Sequence, residues 1–181
     1  MTFYALSTGP GISGIAVIRV SGKETATVIK KLTGKDLPTP RIATLRKMNN
    51  INTSELIDEG IILWFPGPHS YTGEDMAEFH VHGSRAVINA LHSSIKEIKN
   101  CRLAEPGEFT KLAFQNGKIN LLKAESIADL ISAETELQRK QAIKIMSGVS
   151  SDKFNSWREK LIKILSHVEA KIDFPDEELS K

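Results

Sequence analysis

Three polar side chains, Glu78, His80 and His82, occupy every second position of Ala77-Glu78-Phe79-His80-Val81-His82. Apolar and polar residues that alternate with period two mark a strand, so the three should share one face. A carboxylate and two imidazoles there allow three chemistries. They could hold an organic ligand, bind a metal through E-x-H-x-H, or face water. Imidazole suits zinc, copper, nickel or iron. No second cluster of His, Cys or carboxylates offers further metal ligands at a recognisable spacing, and His69, His92 and His167 are isolated.

Other residues invite the same question. Arg19 is charged among Val17, Ile18 and Val20. It reads either as a clamp for an anion or carbonyl, or as a snorkelling edge arginine. Thr8-Gly9-Pro10-Gly11-Ile12-Ser13-Gly14 is a glycine-rich loop, read as a place where backbone approaches another group closely. Phosphate-binding loops run from strand to glycines to helix. Here the glycines lead into another strand, and Val17 stands where a Walker loop ending at Gly22-Lys23 would need its first glycine. A P-loop is therefore rejected.

Composition narrows the class. The chain has 181 residues, 40% hydrophobic and 25% charged, enough for one domain with an appendage. Its formal charge is +2, and its basic pairs are scattered, so charge alone makes no case for a nucleic-acid groove. Cys101 is the single cysteine, which rules out an internal disulfide and fits a reducing setting. It reads as a buried structural residue. No apolar run approaches the roughly 20 residues of a membrane span, and no signal peptide opens the chain. The expectation is a soluble cytoplasmic protein without a membrane partner.

The elements that must position these residues follow from periodicity. Strands are predicted over residues 2–7, 15–20, 41–48, 57–65, 77–82 and 101–104. Ser21 and Glu24 suggest a capping box for a helix that ends at Gly34. Ser84 caps a helix to about residue 98. Pro106 suits the first turn of a short helix, Glu108 suits its N-terminal dipole, and Gly117 ends it. Helices then fill residues 120–133, 137–147 and 151–172, and Pro175 precedes an acidic tail. The fold class is α+β, a mixed or antiparallel sheet with helices, followed by an all-α segment. The division falls at residues 1–118 and 119–181. Helices ending so abruptly should leave an apolar stripe for a partner or further chain to cover.

Several long strings carry a resemblance: GIAVIRVSG, LWFPGPHSYTGEDMAEFHVHG, AEPGEFTKLAFQNGKINLLKAESIADLI and IDFPDEE. In this order they resemble the N-terminal part of the MnmE (TrmE) family of tRNA modification GTPases. The resemblance implies a first domain similar to the tetrahydrofolate-binding domain of aminomethyltransferases. It implies binding of 5-formyl- or 5,10-methylene-tetrahydrofolate, and a homodimer. With an MnmG-type flavoprotein, the family adds an aminomethyl-type group to carbon 5 of the tRNA wobble uridine. GTP, magnesium and potassium serve a G domain set within the helical domain. Three folate contacts carry over by motif: Arg19 of I-R-V-S-G, Glu78 after T-G-E-D-x-x, and Lys118 of F-x-N-G-K.

A carboxylate at position 78 can accept two N–H bonds from a pterin's amide and exocyclic amine. Arg19 and Lys118 can meet carbonyl or carboxylate oxygens. The chain departs from the family in having no G-x-x-x-x-G-K-[ST], no C-terminal C-x-G-K and no arginine in GPGISG. It therefore resembles an N-terminal portion, not expected to hydrolyse GTP alone. The competing expectations are a metal site at Glu78, His80 and His82, a free-standing folate-dependent aminomethyltransferase in which Asp75 or Glu74 would handle amine protons near the folate nitrogen although surface roles suit them at least as well, and a purely structural docking module.

Overall fold

A computed structural model describes residues 1–173, so the expected stop at Pro175 and the acidic tail lie outside the described residues. Six strands form one mixed sheet: β1 (Thr2–Leu6), β2 (Ser13–Ser21), β3 (Thr44–Asn49), β4 (Leu56–Phe65), β5 (Met76–Gly83) and β6 (Cys101–Leu103). Their spatial order is β3-β4-β5-β2-β1-β6. Among the described residues only the β1–β6 pairing is parallel; the other four are antiparallel. Helices α1 (Thr25–Thr33) and α2 (Arg85–Lys96) pack on one face.

Period two decides what that face buries. Tyr4, Ile18, Val20, Ile62, Trp64, Ala77 and Phe79 point at the helices and are buried. They meet Val28, Ile29 and Leu32 of α1, and Leu91 and Ile95 of α2. Those helical positions recur at three- and four-residue spacing, which gives each helix its apolar stripe. The opposite face carries Arg19, Glu78 and His80, each half-buried.

The predicted α+β architecture is the one observed. Several local expectations are corrected. Ser21 caps nothing: it closes β2, and its hydroxyl shares a buried 2.7 Å hydrogen bond with Thr72. The N-cap of α1 is Glu24, without a side-chain cap bond. Its backbone N–H instead donates to Thr2 Oγ1 at 2.8 Å. Pro106 lies outside helix α3 (Glu108–Gln115), whose N-cap is Gly107. A Cβ added at Gly9, Gly11 or Gly14 would meet nothing within 4 Å, so the glycine-rich loop is open. Close approach occurs at Gly22 instead, where φ is 130° and a Cβ would lie 2.6 Å from Thr2 Cα. Any side chain at that position would push the N-terminal strand away. Cys101 is half-buried rather than fully buried.

The chain divides into two compact units after Ile119. The second contains α4 (Leu121–Ser132), α5 (Glu136–Met146) and α6 (Val149–Asp173). Asn120 caps α4 through Lys123 N–H, and Thr135 with Gln138 makes a capping box on α5. Phe154, Trp157, Leu161, Ile164, Leu165 and Val168 of α6 are all exposed. Among the described residues, no helix is long and apolar enough to cross a membrane.

Candidate functional site

Arg19 of β2 and Glu78 of β5 are direct partners in the antiparallel ladder. Their side chains therefore leave the sheet side by side on its open face. Arg19 Nε donates to Glu78 Oε1 at 3.0 Å, and Nη2 donates to the same oxygen at 2.7 Å. Glu78 Oε2 is left to His80, whose Nε2 lies 3.3 Å away. The Glu78 side chain is only 16% exposed. Such a carboxylate needs compensation, and the guanidinium provides it.

His82 separates from this group. Its backbone N–H donates to Asp58 Oδ2 at 2.8 Å, and its Nδ1 lies 2.9 Å from Oδ1. Burial pushes the Asp58 carboxyl up, but hydrogen bonds from His82 and the Glu59 N–H outweigh this and hold it below the usual carboxylate value. The His82 ring stays 73% exposed. Glu78, His80 and His82 thus do not converge on one point. Among the described residues, no group of three or more His, Cys, Asp or Glu is placed to hold a metal ion.

Lys118 sits just after α3, where Gly117 takes φ of 66° and the Lys118 N–H donates to Ala113 O at 2.8 Å. That turn lays the side chain over the loop before β5. A Cβ added at Gly73 would come within 3.0 Å of Lys118 Cε. Asn116 fixes the same loop by donating to Thr72 O at 2.7 Å. The structure therefore joins Arg19 to Glu78 directly. It places Lys118 against the loop that feeds β5, where among the described residues it makes no ion pair.

Asp75 has structural duties. Its Oδ1 accepts from Gly67 N–H at 2.9 Å, and its carbonyl accepts from Gly22 N–H at 2.9 Å. Glu74 lends its carbonyl oxygen to the Ser70 hydroxyl. Tyr71 and Phe109, which sequence reasoning did not single out, both lie against Arg19. Tyr71 stands beside the glycine-bearing loop in the resembling string, but nothing in its spacing marks it.

The family model for the N-terminus of the GTP-binding protein TrmE matches residues 2–118. The MnmE helical domain model matches residues 121–181. The chain is 82% identical over 179 residues to a tRNA modification GTPase MnmE from Pelagibacter ubique, covering 99% of this chain and 40% of that protein. It is 51% identical over 178 residues to the Phenylobacterium zucineum MnmE, covering 98% and 39%. A mitochondrial 5-taurinomethyluridine tRNA synthase subunit from Danio rerio is 48% identical over 178 residues, with 98% and 35% covered. The chain spans about two-fifths of these relatives' length. By two family models that tile residues 2–118 and 121–181, and by this identity, the chain belongs to the MnmE (TrmE) family and represents its N-terminal region.

Proposed function

We propose that residues 1–118 bind a reduced folate and dimerise within a tRNA-modifying GTPase of the MnmE type, and that residues 119–181 begin its helical domain. The observation that carries this reading is the Arg19–Glu78 pair on the open face of the sheet. A pterin offers an amide N–H and an exocyclic amine side by side. Both Arg19 donors use Glu78 Oε1, and Oε2 has only a 3.3 Å contact to His80, so Oε2 keeps acceptor capacity for an incoming N–H. Arg19 and Lys118 supply positive charge for carbonyl or carboxylate oxygens. The residues present therefore fit the group.

When bound, 5-formyl- or 5,10-methylene-tetrahydrofolate would supply the one-carbon unit. The full reaction places an aminomethyl-type group on carbon 5 of the tRNA wobble uridine, with an MnmG-type flavoprotein as partner, in the cytoplasm. GTP, magnesium and potassium belong to a G domain, for which these 181 residues contain no P-loop motif. The homodimer has apolar surface at its disposal, since Ile15 and Leu45 are 64% and 65% exposed.

Calorimetric titration with 5-formyltetrahydrofolate tests the reading. The unaltered chain should bind, and Glu78→Ala should lose about 2–5 kcal/mol of affinity while its melting curve stays cooperative. Equal affinity in that variant would remove Glu78 from the site, and no binding by the unaltered chain would end the folate reading.

A further inference from the structure

The Arg19 guanidinium touches more than Glu78. Its Cζ lies 5.6 Å from the Phe109 ring centroid and 5.8 Å from that of Tyr71. Both distances fall inside the reach of about 6 Å over which a ring quadrupole attracts a cation.

Neither ring is loose. Tyr71 Oη and Thr110 Oγ1 share a 3.0 Å hydrogen bond, which ties the loop before β5 to α3. Phe109 meets Phe3 of β1 edge to face, with centroids 4.8 Å apart. Arg102 of β6 grips the first residue of α3: its Nη1 donates to Glu108 Oε2 at 2.9 Å, and its Nη2 to Oε1. The bracing thus runs from the sheet edge through α3 to the two rings.

Arg19 uses Nε and Nη2 on Glu78 Oε1. Among the described residues Nη1 has no hydrogen-bond partner. A guanidinium is planar with fixed donor directions, so one carboxylate oxygen and two fixed rings together settle where the Nη1 edge points. Without the rings, a long flexible side chain would have to be ordered when the ligand arrives, at a cost in affinity.

We propose that Tyr71 and Phe109 are positioning residues that hold Arg19 with Nη1 available for an anionic or carbonyl oxygen of the bound ligand. The identity of the ligand rests on the folate reading above; the bracing of the arginine does not.

Two measurements on the 181-residue chain separate these claims. The first follows the Arg19 Nε–Hε resonance in nitrogen-15-labelled protein without folate. Phe109→Leu and Tyr71→Leu should each move it toward its unstructured position and broaden it, through loss of ring-current shift and of order. Phe109→Tyr and Tyr71→Phe keep a ring and should preserve it. The second is titration with 5-formyltetrahydrofolate. Each leucine variant should bind about tenfold more weakly, and each aromatic variant within about twofold of the unaltered chain.

An unchanged Arg19 resonance in both leucine variants would overturn the bracing. Equal affinity loss in leucine and aromatic variants would reduce the rings to general packing and overturn the role in binding. If the unaltered chain binds no folate, the folate reading fails, and the resonance alone then decides the bracing. Should one leucine variant fail to fold, the other still decides.

Discussion

Burial pushes two acidic side chains of the sheet in the same direction, and their neighbours decide the outcome. It pushes the Cys101 thiol up to about 11, helped by the Glu24 carboxylate, because an apolar setting penalises the thiolate. At neutral pH the thiol is therefore protonated, and the thiolate is the reactive form. Iodoacetamide should label Cys101 far more slowly than a free cysteine at pH 7.5. The rate should keep rising about tenfold per pH unit well beyond the ordinary thiol range of roughly 8.5. Labelling followed by mass spectrometry measures this, and a plateau near pH 9 would contradict it. At Asp58, by contrast, donors from His82 and Glu59 overcome the same burial and keep the group charged. Glu78 shares its two oxygens between neighbours: Arg19 donates to one and His80 stands by the other.

At the scale of elements, side chains fasten the sheet to its flanks. Asp58 joins β4 to the end of β5, and Glu108 joins α3 to β6 through Arg102. Asp58→Ala leaves the His82 N–H without its acceptor and should cost about 1–3 kcal/mol, read from urea unfolding. The Arg102 guanidinium holds the Glu108 carboxyl below its ordinary value, so Asp58 and Glu108 shift the same way. A depressed folded-state pKa stabilises the fold above the ordinary carboxylate value of about 4, and that contribution fades as pH falls through the folded value. The chain should lose stability below about pH 4, and an Asp58→Asn, Glu108→Gln chain should show a flatter acid limb in pH-dependent thermal melts. The strands that position the site were legible because burial imposes period two on β2, β4 and β5. Caps were less so: Ser84 caps as its type suggests, Asn120 caps α4 rather than opening it, and Ser21 closes β2 with a bond to Thr72. The Arg19–Glu78 contact was not readable from periodicity, because register is a tertiary property linking residues 59 positions apart. Tyr71 and Phe109 stayed silent for the same reason: each acts through a partner distant in sequence.

At the scale of the whole molecule, the hydrophobic core cluster among the described residues draws only on the first unit, from Tyr4 to Ile98, with Cys101 at its margin. A chain ending at Ile119 keeps every member of that cluster. It should melt as one cooperative transition in calorimetry and, on the proposed function, retain 5-formyltetrahydrofolate affinity within about threefold. A broad, non-cooperative melt would show that the core needs later residues. The direct opposition of Arg19 and Glu78 in the β2–β5 ladder also limits how such a chain can change length. One residue added to or lost from either strand, between the pair and the rest of its pairing, would send one partner to the helix-covered side of the sheet. Two residues would bring it back. Within these strands insertions and deletions obey a parity rule, whereas residues 9–12, in the open loop between β1 and β2, can gain or lose length in ones without separating the arginine from its carboxylate.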